Sequence, residues 1–394
     1  MKKRNDWETA LRVIEKIEKA GFEAVIVGGA VRDHLLQRKI HDVDVATNAL
    51  PMEIKKIFNN TVDVGIEHGT VIVLDEGSPI EVTTYRTDGT YTDYRRPEEV
   101  TFVRELPKDL ERRDFTINAM AYTKDGGIID LFGGKEDLEN RIIRAVGDAN
   151  SRFREDALRM LRAVRFVAQL GFSIEESTMK AIQKDSDLIE FIAHERIHME
   201  LSKMWVAEYV YLGIEALVES HLANYLPGNF AEHLDDWKYF YAENPEVGWA
   251  YLCLLNRNEM ENIMEYYRYS NKEKQFTKNV LHAYDRLLNR WNEVDYFSND
   301  LTILETAYDF AVWQGKTVPF SREHIGQVKK HLPIQSMDEF ALNGNLLMKW
   351  TGKRGGPWIK EALDKALYAV LTGQVKNDEE QLKEWFYNEF IHER

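Results

Sequence analysis

Two aspartates one residue apart, Asp42 and Asp44, follow closely on a double glycine, Gly28-Gly29, within VIVGGAVRDHLLQRKIHDVDVATN, and this combination constrains the chain more than any other feature. The apolar run from Ala24 to Val27 predicts a strand. The glycines let backbone N–H groups approach a phosphate chain, and Val31 to Leu36 predicts a helix whose N-terminus favours anions. A second strand follows, and because side chains alternate along a strand, Asp42 and Asp44 are expected on one face with Val43 and Val45 on the other. Carboxylates held side by side repel unless divalent cations lie between them, so the spacing implies Mg2+ held by Asp42 and Asp44. Either motif alone recurs by chance; their order and spacing together carry the reading.

Further along, PIEVTTYR alternates Ile80 and Val82 against Glu81 and Thr83, which predicts a third strand and offers Glu81 as a further carboxylate for the metal site. In ERRDFTINA, Arg112 and Arg113 stand at the head of an apolar stretch, where a planar guanidinium can grip triphosphate oxygens.

The order of GGAVRD, the Asp42/Asp44 pair, RRDFTIN, DLFGGKEDLENRIIR and Glu155-Asp156-Ala157-Leu158-Arg159 resembles that of the bacterial-type (class II) CCA-adding tRNA nucleotidyltransferases, and more distantly that of bacterial poly(A) polymerases. The resemblance is dense over residues 22 to 210. It implies an α+β protein, with a small mixed-sheet nucleotidyltransferase head at 1–140, then an all-helical neck at 141–210, body at 211–290 and tail at 291–394. It also implies CTP and ATP as substrates, tRNA as partner through its 3′ end and its elbow, and a triphosphate held by Gly28, Gly29, Arg32 and Arg113. An A-adding or poly(A)-polymerase-type activity is the alternative within the family.

Composition is compatible with this. The 394 residues are 44% hydrophobic and 30% charged, enough for several cores, and Cys253 is the only cysteine, so no internal disulfide forms. The start of the chain has no secretory-signal pattern and no apolar run approaches a membrane span, from which a cytoplasmic location without membrane association is expected. A net charge of −15 argues against a nucleic-acid partner, but seven arginines between Arg141 and Arg165 predict a local basic face. The sequence leaves a homodimer open.

Strand-like runs with short helices dominate to about residue 140, and long 3.6-periodic segments dominate from Ser151 onward, among them DALRMLRAVRFVAQLGF. Asp156 and Arg159 are i and i+3, so on one helix they share a face and can meet a flat base edge as acceptor and donor. Cytosine and adenine both present an amino donor beside a ring-nitrogen acceptor, whereas guanine and uracil present the reverse; Asp156 with Arg159 therefore selects C and A. Arg162 and Arg165 continue the stripe toward ribose or phosphate.

Thr87 to Pro97 is polar and aperiodic and predicts a mobile loop beside the site; with Asp88, Gly89, Tyr91, Asp93, Arg95 and Arg96 it is expected to permit the final A addition. Aromatic stretches at Trp237 to Tyr241 and Tyr266 to Tyr269 are assigned to core. Lys353-Arg354 before Gly355-Gly356-Pro357 form a plausible phosphate seat at a helix start. One competing motif is His194-Glu195-Arg196-Ile197-His198, which matches the H-E-x-x-H of zinc proteases with Glu219 as a third ligand. Arg196 inside it would repel zinc. By the resemblance, Glu195, Arg196, Ile197, Glu200 and Lys203 instead form a neck helix that braces the nucleotide-binding one.

Overall fold

The computed structural model describes residues 6–40, 42–65, 69–75, 78–89 and 100–390, and these fall into two compact units, 1–237 with 261–268, and 238–260 with 269–394. The first unit opens with α1 (Asp6–Lys19), which buries Ala10, Val13, Ile14 and Ile17 at helical spacing, with acidic residues in its first turn and lysines in its last. Then come β1 (Ala24–Val27), α2 (Gly29–Leu35), β2 (Asp44–Thr47) and α3 (Pro51–Ile57). The strands β3 (Thr61–Asp63), β4 (Thr70–Asp75), β5 (Ser78–Thr84), β6 (Arg86–Asp88) and β7 (Val100–Phe102) follow, then α4 (Leu106–Glu111), β8 (Met120–Tyr122) and β9 (Ile128–Asp130).

Seven of these strands form one mixed sheet in the order β3-β4-β5-β2-β1-β8-β9. β1 runs antiparallel to β2 and β8, whereas β2 runs parallel to β5. The α+β head expected from the sequence is thus present. β5 alternates buried and exposed positions as its sequence predicts. β6 and β7 pair separately as an antiparallel ladder, so Thr87 and Asp88, the start of the expected loop, lie in a strand. Tyr91, Asp93, Arg95, Arg96 and Pro97 lie outside the described residues.

The GG of DLFGG closes the head. α5 (Gly134–Asn140) has its first N–H groups capped by Asp130, which accepts from Gly134 N at 2.9 Å and Lys135 N at 2.9 Å. A Cβ on Gly134 would lie 2.3 Å from the Thr116 carbonyl oxygen, so this helix can approach the Thr116–Asn118 turn only through a glycine. Gly134→Ala is expected to destabilise the fold by about 2 kcal/mol or more, because backbone must move to admit the methyl. Chemical denaturation checks this, and an unchanged midpoint would contradict it.

Within the same unit, β10 (Ile142–Ile143) and α6 (Ala149–Glu155) are followed by α7 (Leu158–Leu170), which ends at Gly171 with a φ of 67°. Asp156 interrupts the helical run with extended backbone, φ −141° and ψ 101°. The single helix expected to carry both Asp156 and Arg159 is therefore two helices with a break. β11 (Ser173–Ile174) pairs parallel with β10, and α8 (Glu176–Lys184), α9 (His194–Trp205) and α10 (Val210–Glu219) complete the bundle around α7, whose Met160, Leu161, Ala163 and Val164 are fully buried.

The second unit is helical throughout its regular structure. Its last part packs Leu347, Ala366, Val370, Leu382 and Phe386 from the helices Gly344–Thr351, Pro357–Leu371 and Glu379–Phe390 into one cluster. Pro357 occupies the first turn of its helix, where its missing N–H costs nothing. The aromatic stretches assigned to core divide. Trp237, Phe240, Tyr267 and Tyr269 are buried, but Tyr239 and Tyr241 are 68% and 62% exposed, on the opposite side of the segment from Phe240.

Candidate active site

β1 and β2 bring the glycine turn and the aspartates together. Asp44 opens β2, opposite Val27 on β1 and opposite Glu81 on the parallel β5. Asp42 precedes the strand, yet the expected alternation holds: Asp42, Asp44 and Glu81 are exposed while Val43, Val45 and Val82 are buried. The tips of Asp44 and Glu81 reach solvent, but packing around them is dense enough that desolvation raises both carboxyl pKa values. Asp44 is raised further by Asp42, against the pull of Arg113; Glu81 is raised by Asp44 and Asp42, against that of Arg86. Asp44 and Glu81, whose charge neighbouring carboxylates disfavour, form with Asp42 a donor set suited to a hard divalent cation. They line one edge rather than closing on a point; among the described residues, no three His, Cys, Asp or Glu side chains do so.

Gly28 lies between β1 and α2 with a φ of 71°, and a Cβ there would come 3.2 Å from Nη1 of Arg113. The missing side chain lets this arginine lie against the turn. Nη2 of Arg113 donates to Oδ2 of Asp109 at 3.1 Å, while Arg112 donates to Oδ1 through Nε at 3.0 Å and Nη2 at 2.8 Å. Burial would raise the pKa of Asp109, but the two guanidinium groups outweigh it and hold the carboxyl below its ordinary range. Among the described residues, Nε of Arg113 is buried without a hydrogen-bond partner, as suits a group that completes its coordination on an anion.

Arg32 is more deeply committed. It forks onto Asp33 at 2.9 and 3.0 Å, donates from Nη1 to Asn118 at 2.8 Å, and lies over the Phe166 ring at 5.2 Å. From Asn118 a polar chain runs into the neck. Asn118 donates to Asp114, Arg162 donates to Asp114 at 2.9 and 2.6 Å, and Glu200 receives Arg162 at 3.7 Å and Arg165 at 2.9 Å. Burial opposes the charge on Asp114, yet Arg162 and the Asn118 bond hold its pKa well below the ordinary value. Arg162 and Arg165, expected to reach ribose or phosphate, are here engaged by these two buried carboxylates.

Asp156 and Arg159 are likewise held. The Asp156 carboxylate accepts a fork from Arg196 at 3.1 and 2.7 Å and the N–H of Leu158 at 3.2 Å. Arg159 donates to Glu155 at 2.6 Å and to the carbonyls of Arg152 and Arg112 at 3.1 Å each. The last bond ties the α7 start to the residue beside Arg113. The expected basic face is a different matter: Arg144, Arg152, Arg154, Arg159, Arg162 and Arg165 all pair with carboxylates inside the unit. The buried carboxylates Asp114, Asp185 and Glu200 draw Arg162, Arg154 and Arg165, whereas Arg144 and Arg154 keep about half of their side chains exposed.

HERIH lies on α9 and does not form a zinc site. The His194 ring stacks on Tyr266 at 4.0 Å, and Nδ1 of His198 lies 2.7 Å from the Tyr267 carbonyl oxygen. Arg196 instead orients Asp156, and Glu200 braces α7. Sequence reasoning missed Asp109 and Asn118 as supports; Asp109 had a usable signal, lying three and four residues before Arg112 and Arg113 at helical spacing.

This arrangement has clear relatives. A model of the "Poly A polymerase head domain" matches residues 24–144, one of the "Probable RNA and SrmB- binding site of polymerase A" matches 171–231, and one of tRNA nucleotidyltransferase domain 2 matches 240–386. The CCA-adding enzyme of Geobacillus thermodenitrificans is 42% identical over 388 residues, covering 96% of each chain. That of Streptococcus agalactiae is 42% identical over 391 residues, again covering 96% of each. The crystal structure of the Bacillus stearothermophilus CCA-adding enzyme in complex with CTP superposes with a TM-score of 0.89 at 38% identity, covering 98% of both chains. A relationship of this depth along nearly the whole length shows that the chain belongs to the CCA-adding enzyme family of tRNA nucleotidyltransferases.

Proposed function

We propose that this protein adds C, C and A stepwise to the 3′ end of tRNA, taking CTP and ATP and releasing pyrophosphate without a nucleic-acid template. The observation that carries this is Asp44 facing Glu81 across β2 and β5, next to a glycine turn on which a partly unpaired arginine rests. Asp42 and Asp44, with Glu81 as helper, would hold Mg2+, which when bound neutralises charge at the attacked phosphate and the leaving pyrophosphate. Gly28 and Gly29 leave room for the triphosphate, and Arg113, with Arg32 behind it, orients its oxygens. Asp156 and Arg159 present acceptor and donor to the base edge, while Arg162 and Arg165 fix the helix that carries Arg159. The tRNA substrate places the protein's work in the cytoplasm.

Selectivity by Asp156 and Arg159 has a direct test. Arg159→Ala is expected to admit UTP or GTP, lowering discrimination by about 10-fold to 100-fold, because each buried group left unpaired by a wrong base no longer exacts its full cost. Misincorporation with single nucleotides measures this. Undiminished preference for CTP over UTP would make the pair structural.

A further inference from the structure

Tyr85 is fully buried, and among the described residues its hydroxyl has no hydrogen-bond partner. An unpaired buried hydroxyl weakens a fold, so its presence calls for a state in which it is paired. Tyr85 follows directly on β5, the strand of Glu81. It belongs to one buried cluster with Val25 and Val27 of β1, the strand that leads into Gly28, and with Leu106 and Leu110 of α4, the helix of Asp109. The N–H of the next residue, Arg86, donates to Oδ1 of Asp109 at 3.3 Å. Burial, then Glu23 and Asp109, raise the phenol's pKa, with Arg113 opposing, so the oxygen keeps its proton and remains a donor.

Asp109 divides its carboxylate unevenly. Oδ1 receives Arg112 and the Arg86 N–H, whereas among the described residues Oδ2 receives only Nη2 of Arg113. A guanidinium that grips phosphate side-on presents Nε and one Nη together. A triphosphate arriving at Arg113 therefore competes with Asp109 for that Nη2. We propose that Tyr85 is a positioning residue for nucleotide binding, its hydroxyl donating to Asp109 as Arg113 turns from that carboxylate to the triphosphate. This rests on the assignment of Arg113 to the triphosphate. It acts alike on CTP and ATP, because neither base is involved.

Tyr85→Phe removes one oxygen and keeps the ring. The expected result is a KM for both CTP and ATP raised about threefold to tenfold, with kcat and the KM for tRNA unchanged. The melting temperature stays the same or rises, since a costly unpaired group is gone. In an Arg113→Ala background, where nucleotide KM is already raised, Tyr85→Phe adds nothing further. Unchanged nucleotide KM in Tyr85→Phe, with KM raised by Arg113→Ala, overturns the proposal and leaves the Arg113 assignment standing. So does an equal rise in the Arg113→Ala background, or a fall in kcat and melting temperature together, which marks a structural role. If Arg113→Ala itself leaves nucleotide KM unchanged, the triphosphate assignment fails and this proposal with it.

Discussion

Asp44→Ala is expected to abolish addition of both C and A, lowering the single-turnover rate by about 10³-fold or more, while tRNA still binds. Asp44 lies in register with Glu81 on the parallel β5, close enough to raise the pKa of that carboxyl, and is itself raised by burial and by Asp42. Its loss removes a proposed metal ligand without disturbing β2, since Asp44 is exposed and Val45 and Ala46 keep the strand buried. Asp42→Ala is expected to behave in the same way. Electrophoretic separation of tRNA extended by each mutant measures the rate, and filter binding measures retention. Substantial C addition by both mutants would remove the metal assignment.

Glu200→Ala is expected to be the most damaging single change in the neck. Glu200 is 4% exposed and receives Arg165, itself 7% exposed, with Nε 2.9 Å from Oε2 in an ion pair rather than a well-aligned hydrogen bond. Burial already pushes the Arg165 pKa down to about 10, even with Glu200 supporting its charge. Truncation leaves a buried guanidinium without its paired carboxylate, Asp114 acting on it only more weakly, and such losses cost about 3–5 kcal/mol. Arg162 keeps Asp114 and so softens the loss only on its own side. Urea denaturation of mutant and parent gives the difference. A cost below about 1 kcal/mol would mean that the network linking Arg32 to Arg165 contributes little, since that is the range of an exposed pair.

The parts of this site that were legible in the sequence are those set by local periodicity. The β1 run, the glycine turn and the alternation of Asp42 and Asp44 with Val43 and Val45 need only a period of two and the freedom of Gly28. Glu81 followed from the same alternation in β5. Partners distant in sequence were not legible: Arg162 meets Asp114 from 48 residues away, and Arg196 meets Asp156 from 40. For that reason the sequence did not show that most arginines of this stretch are ion-paired, Arg159, Arg162 and Arg165 in partly or fully buried positions. The break at Asp156 was hidden as well, because no glycine or proline interrupts REDALRML and the apolar spacing runs straight through it. At the break the Asp156 carboxylate accepts the N–H of Leu158, a local cap, and the Arg196 fork from 40 residues away. Tyr239 and Tyr241 illustrate a further limit, since composition does not show where the surface of a compact unit runs.

The most direct measurement is incubation of the protein and Mg2+ with three forms of one tRNA, lacking CCA, ending in C, or ending in CC, with each of the four nucleotides supplied alone. The account predicts two additions from CTP on the first, one on the second and none on the third, with ATP adding a single A only to tRNA ending in CC, and no extension from GTP or UTP. Repeated A addition to any of the three, or a failure to add C to the first two, would contradict it.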